Sequence, residues 1–158
     1  PRSTRKSVSL MTQKNRKAYG LLAFLLLTIL FIWLQSFQQG SLSHRESQWV
    51  LKMVQRLLSG NRIGIWLNDG RIRRLAHLTE YSSLGLFTSL YCWRRWGKNF
   101  SARIIALGIA VASMDEIFQY FAGGRTATWK DVCLDGAGVV AGIVMWRMGN
   151  EMGNLLKR

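Results

Sequence analysis

The sequence predicts an all-α protein: a four-transmembrane-helix bundle with an interfacial amphipathic helix between the first and second spans. Three observations predict it. Residues Ala18 to Phe37 form a run of twenty without a charge, about the length an α-helix needs to cross a hydrocarbon core roughly 30 Å thick. Three further apolar stretches follow, at residues 75–93, 104–121 and 132–146. The basic residues gather between these runs instead of along one face.

With 158 residues the chain is one domain's worth, and 49% hydrophobic content with a single proline excludes a disordered or collagen-like protein. Eight acids stand against 22 Lys and Arg, a formal charge of +14. Such a charge can mark a nucleic-acid binder, but no recognition module is present, so nucleic acid is not an expected partner.

Residues 1–17 read as a basic cytoplasmic tail and residues 18–158 as a single membrane domain. The first span is an anchor, not a cleaved signal peptide: it is longer than an h-region, and Gln35-Ser36-Phe37-Gln38 lacks the small-x-small cleavage pattern. From Ser43 to Trp66, Trp49, Val50, Met53, Val54, Leu57 and Leu58 recur at helical spacing, while Arg45, Lys52 and Arg56 take other positions. That pattern suits a helix lying in the interface, and equally an amphipathic connector docked on the bundle. The second, third and fourth spans are weaker than the first because each carries polar residues near one end. Gly138 and Gly142 on the fourth, with Gly108 and Ala112 on the third, supply small-xxx-small pairs suited to close helix packing.

Four spans divide the 22 basic residues into thirteen on the side of both termini and nine on the other. By the positive-inside rule both termini are cytoplasmic. Arg71, Arg73 and Arg74 dissent, and can snorkel or bind anionic headgroups. Cys92 and Cys133 then fall at opposite ends of the bundle, too far apart for a disulfide.

The same topology gathers the polar residues at one level on the outer side. His77, Glu80 and Tyr81 open the second span; Asp115, Glu116 and Gln119 close the third; Asp131 and Asp135 open the fourth, after Arg125 in the connection. A carboxylate within a membrane helix costs about 2.5–3.5 kcal/mol on insertion scales, so five of eight acids gathered there need a compensating partner. Spacing supplies shared faces: His77 with Glu80 and Tyr81, Asp115 with Gln119, and Asp131 with Asp135. Glu116 points some 100° away from Asp115. The candidate acid/base residues are His77, Glu80, Asp115 and Glu116, because neighbouring carboxylates push one another's proton affinity into a working range. Tyr81, Gln119, Arg125, Asp131 and Asp135 are candidate substrate-binding residues, with Arg125 a bidentate clamp for phosphate or carboxylate. A His with several carboxylates can ligate a divalent metal, but no dense HxxxH or HExxH pattern appears, so no residue is assigned as a metal ligand and the cofactor stays open. The competing interpretation is an interhelical polar network that only holds the bundle together. Ion transport is disfavoured, because no polar path continues through GLFTSLYCW or IIALGIA.

The stretches HLTEYSSLGL and SMDEIFQYFAGGRTATWKDVCLDGAGVVAG resemble the VanZ-like family of small bacterial membrane proteins. The family's pattern has a His and Glu/Tyr opening one helix, then DE-x-x-Q-x-F-x-x-x-R, then an Asp leading a Gly-rich helix. The match covers about Leu75 to Gly142, with Arg125 at the expected distance from Gln119 and Asp131 opening the last helix. Asp135 departs from the family's frequent Asn. The resemblance implies a four-helix protein of the bacterial plasma membrane, in a family named for a member associated with glycopeptide-antibiotic resistance; it supplies no reaction and no cofactor. Taken together, the residues and the resemblance lead to an outward-facing pocket that binds, and can modify, an envelope lipid or lipid-linked cell-wall precursor. The alternative is a non-enzymatic structural or accessory subunit.

Overall fold

The computed structural model turns the pattern of a water-soluble protein inside out. Leu26, Leu27, Phe31 and Leu34 are each more than half exposed, whereas Asp115 and Asp135 are 0% and 1% exposed. Water-soluble folds bury the first kind of residue and expose the second. An apolar exterior around polar contacts suits hydrocarbon surroundings, where ionisable side chains face the bundle interior.

The structure describes residues 2–38, 40–57, 66–122 and 128–156, with the side chains of residues 2–15, 17 and 40 excepted. Among the described residues there are five helices and no strand: α1 (Arg2–Ser36), α2 (Gly40–Leu57), α3 (Asp69–Trp96), α4 (Ser101–Ala122) and α5 (Trp129–Leu155). Three have segments long and apolar enough to cross a membrane, namely Ala18–Ser36 of α1, α4, and α5. The expected second span lies within α3, which has 28 residues. Its length suffices, but Asp69, Arg71, Arg73, Arg74, His77 and Glu80 make its first half too polar to stand with the other three.

Local chemistry sets the ends of these helices. Asn68 caps α3, its side chain accepting from the Arg71 N–H at 3.0 Å. The helix stops at Gly97, whose left-handed φ of 68° suits a residue without Cβ and whose N–H donates to the Trp93 carbonyl. Thr128 caps α5, accepting from the Asp131 N–H at 3.3 Å while its hydroxyl donates to Asp131 Oδ2.

Packing is closest between α3 and α5. A Cβ at Gly85 would lie 2.2 Å from the Val139 carbonyl oxygen, so only glycine permits this approach. Gly142 makes the reciprocal contact, and Gly138 meets Leu78 and Tyr81 just above it. On α4, Gly108 leaves room for the Val139 side chain. Ala18, Leu25 and Ile32, seven residues apart, form the buried stripe of α1. Near its end Trp33 Nε1 donates to the Val111 carbonyl at 3.3 Å, and Trp33 and Phe37 pack on Phe118.

The amphipathic helix, expected over 43–66, is described from Gly40 to Leu57, and residues 58–65 lie outside the described ones. Trp49, Met53 and Leu57 form an exposed apolar stripe, with the exposed Arg45, Lys52 and Arg56 beside it. Ser47 faces inward instead and bonds Asp69 of α3. Cys92 is buried and Cys133 exposed, and both are free thiols.

Candidate functional site

α1, α3, α4 and α5 contribute to one polar cluster, because α1 and α4 run toward it and α3 and α5 start from it. His77 stands two turns into α3. Its Nδ1 is 3.6 Å from Asp115 Oδ2 and 3.7 Å from Asp135 Oδ1. Asp115 also accepts from Gln119 Nε2 at 2.9 Å, one turn along α4, and from the Ser36 hydroxyl at the end of α1. The Ile32 carbonyl, 3.2 Å from that hydroxyl, is its alternative acceptor. The Tyr81 ring runs parallel to the His77 imidazole, 12° between planes and 6.5 Å between centroids. Among the described residues neither Asp135 oxygen has a hydrogen-bond partner, nor does the buried Tyr81 hydroxyl.

His77 leads from this buried centre to the surface, its side chain 21% exposed. Beside it opens a polar cavity of about 50 Å³, lined by Ile32, Gln35, Ser36, Ser43, Arg73, Ala76, His77 and Glu80. That volume takes one water or the tip of a polar group, not a whole lipid. Arg73 and His77 share this wall because they are four residues apart on α3. Arg73 Nη2 lies 3.5 Å from Asp69, while its buried Nε has no hydrogen-bond partner among the described residues.

Asp69 joins α2 to α3 at the edge of the cavity. It meets His44 Nδ1 at 2.9 Å and accepts from the Ser47 hydroxyl. Burial pushes its carboxyl upward, but the Ser47 and His44 hydrogen bonds and the charges of Arg73 and His44 outweigh that, holding it below the ordinary 3.8.

The predicted residues thus separate into groups. His77, Asp115, Asp135, Gln119 and Tyr81 meet at the centre, and Glu80 lines the cavity with His77. Glu116 turns aside, as its 100° offset requires, and accepts from the Thr128 N–H at 2.7 Å. Asp131 sits in the first turn of α5 with Thr128 and lies 3.9 Å from Arg74, so its bonds serve the helix start. Arg125 lies outside the described residues. Sequence reasoning missed Ser36 and left Arg73 out of the site. The i, i+4 relation of Arg73 to His77 was a signal for the second; nothing local marks the first.

His77, Asp115 and Asp135 each offer a ligand atom, and these atoms lie within 4.8 Å of one another. The arrangement can accept a cation, share a proton between carboxylates, or hold a polar group entering from the cavity. Comparison with curated proteins and with solved structures finds no match. The sequence model of one family, described as VanZ/LLP1, does match, from residue 21 to residue 150, a stretch that contains every residue of the cluster and most of the chain. The chain belongs to the VanZ/LLP1 family.

Proposed function

We propose that this VanZ/LLP1 protein is a four-span protein of the bacterial plasma membrane whose cavity binds the anionic head of an envelope lipid or lipid-linked cell-wall precursor. One observation carries the reading: Arg73, His77 and Glu80 line a cavity directly beside the buried His77–Asp115–Asp135 cluster. A guanidinium whose buried Nε has no hydrogen-bond partner among the described residues is suited to a phosphate or carboxylate. Arg125, on sequence grounds, is a second candidate clamp. His77 and Glu80 are the groups placed to exchange a proton with a bound head.

The membrane arrangement follows from several supports. α3 is long enough to span and packs along α5, which is apolar enough to do so. Under four spans the distribution of basic residues favours cytoplasmic termini and puts the cavity on the outer side. On α2 the stripe of Trp49, Met53 and Leu57 beside Arg45, Lys52 and Arg56 suits a helix dipping into the headgroup boundary. The glycopeptide-resistance member for which the family is named makes a role in such resistance the natural first assay.

That assay is growth of a strain lacking the gene, complemented with wild type, Asp115→Asn or Arg73→Ala, under lipoglycopeptide challenge, with membrane levels followed by immunoblot. Loss of protection by both variants at normal levels is the expected result. Retained protection in both would remove the lipid-head reading. It would favour an accessory subunit in which Asp115, bonded to Ser36 of α1 and Gln119 of α4, only ties helices together.

A further inference from the structure

We propose that His77, Asp115 and Asp135 form a site for one divalent transition-metal cation, with Zn²⁺ as the fitting ion, beside the polar cavity. Two carboxylates shut off from solvent face one imidazole. Buried charges of this kind are paired or coordinate a metal. Asp115 has its hydrogen bonds to Ser36 and Gln119, but both Asp135 oxygens are buried with no hydrogen-bond partner among the described residues. A side chain 1% exposed, its Oδ1 3.7 Å from His77 Nδ1, is an acceptor placed for a cation.

The distances favour coordination over direct bonding. At 3.6 and 3.7 Å the imidazole nitrogen is beyond hydrogen-bond range of either carboxylate oxygen. Zinc bonds of about 2.0–2.2 Å set tetrahedral donor atoms roughly 3.4 Å apart, near the two histidine–carboxylate separations, and the three donor atoms lie within 4.8 Å of one another. Octahedral Mg²⁺, with bonds of about 2.1 Å, would bring neighbouring donors to roughly 3.0 Å. One imidazole and two carboxylates form a donor set suited to zinc, and three protein ligands leave a fourth position for water or a substrate oxygen. His77 also lines the cavity, so that position can be reached from it. Ser36 donates to Asp115 Oδ1 and Gln119 to Oδ2, the oxygen that faces His77, so both orient the carboxylate as outer-shell partners of metal ligands do. The ligands come from α3, α4 and α5, which is why no spacing motif announces them.

The site is that of the lipid-head reading and the inference rests on that site being functional, but metal content and drug protection are separate readouts. Untagged, full-length protein in detergent would be stripped with chelator and equilibrated separately with Zn²⁺, Mn²⁺ and Mg²⁺. Elemental analysis would give stoichiometry and thermal unfolding would report stabilisation. We expect one Zn²⁺ per chain and a higher melting temperature with the metal. His77→Gln and Asp135→Asn should each weaken Zn²⁺ binding more than about 100-fold, and Gln119→Leu by about 10–100-fold. Asp135→Asn is nearly isosteric and replaces a buried carboxylate that has no hydrogen-bond partner among the described residues, so its metal-free form should melt no lower than metal-free wild type. Zinc should not raise that variant's melting temperature. Absence of stoichiometric binding by any of the three ions, or Zn²⁺ binding unchanged in Asp135→Asn, would overturn the proposal. Preference for Mg²⁺ would overturn the tetrahedral assignment. Stoichiometric Zn²⁺ in a protein whose Arg73→Ala variant still protects cells would keep the metal and remove the lipid head.

Discussion

Gly142 of α5 lies against the Ser82 carbonyl of α3 so closely that a Cβ there would sit 2.0 Å from the oxygen and 2.6 Å from the Leu86 nitrogen. Backbone, unlike a flexible side chain, cannot move aside locally. This contact and its reciprocal at Gly85 hold the two helices at the separation that sets His77 of α3 opposite Asp135 of α5.

Gly142→Ala is therefore expected to destabilise the protein even though alanine gains about 1 kcal/mol in helix propensity. Overpacking of a tight contact costs about 1–3 kcal/mol, and here backbone must yield. Thermal unfolding in detergent should show a lower midpoint for Gly142→Ala and a sharper loss for Gly142→Leu. Gly149→Ala is the control, since no atom lies within 4 Å of a Cβ at that position. It should be neutral or stabilising.

Asp69 makes the attachment of α2 depend on pH at the acid end. Its carboxyl is held below 3.8, chiefly by the Ser47 and His44 hydrogen bonds once burial's upward push is overcome. A carboxyl lowered by folding stabilises the native state fully above its unfolded value, and that stabilisation is lost as pH falls through the folded one. The melting-temperature difference between wild type and Asp69→Asn should thus be present just above 3.8 and close as pH falls below it. Its size should be small, under about 1 kcal/mol, because the His44 side chain is 53% exposed and an exposed pair is screened. A difference that grows on acidification would remove Asp69 as the docking group.

Much of this architecture is legible in the residues because helical periodicity is local. Gln119 one turn beyond Asp115 does bond it, Tyr81 one turn beyond His77 does stack with it, and Glu116 does turn away. What periodicity cannot show is which face meets which. Ser36 ends an apolar run with no polar neighbour in register, so its bond to Asp115, 79 residues on, comes only from how α1 packs. Asp131 illustrates a different failure. Thr128-Trp129-Lys130-Asp131 is the Thr-x-x-acid pattern of a helix start, and the carboxylate accepts from the hydroxyl of the capping Thr128 instead of joining the centre. The glycine pair on α5 was evident, and Gly85 with Ser89 four positions on was the matching small-xxx-small signal on α3, which went unread.

The number of spans depends on α3, and two positions decide it. Arg45 lies on α2, before α3, and Lys98 lies just after it; both are exposed. If α3 crosses the membrane, these two residues face opposite sides. If only α1, α4 and α5 cross, they share one side. Arg45→Cys and Lys98→Cys, each in a background with Cys92→Ser and Cys133→Ser, can be labelled with a membrane-impermeant maleimide in intact cells and again after permeabilisation. Four spans with cytoplasmic termini predict immediate labelling at position 45 and labelling at position 98 only after permeabilisation. Equal labelling of both in intact cells would remove α3 as a span and would conflict with α1 and α4 both running toward the cluster. The opposite pattern, with position 98 labelled first, would keep four spans and reverse the orientation, placing Arg73 and His77 on the cytoplasmic side, where an envelope lipid's outer head could not reach them.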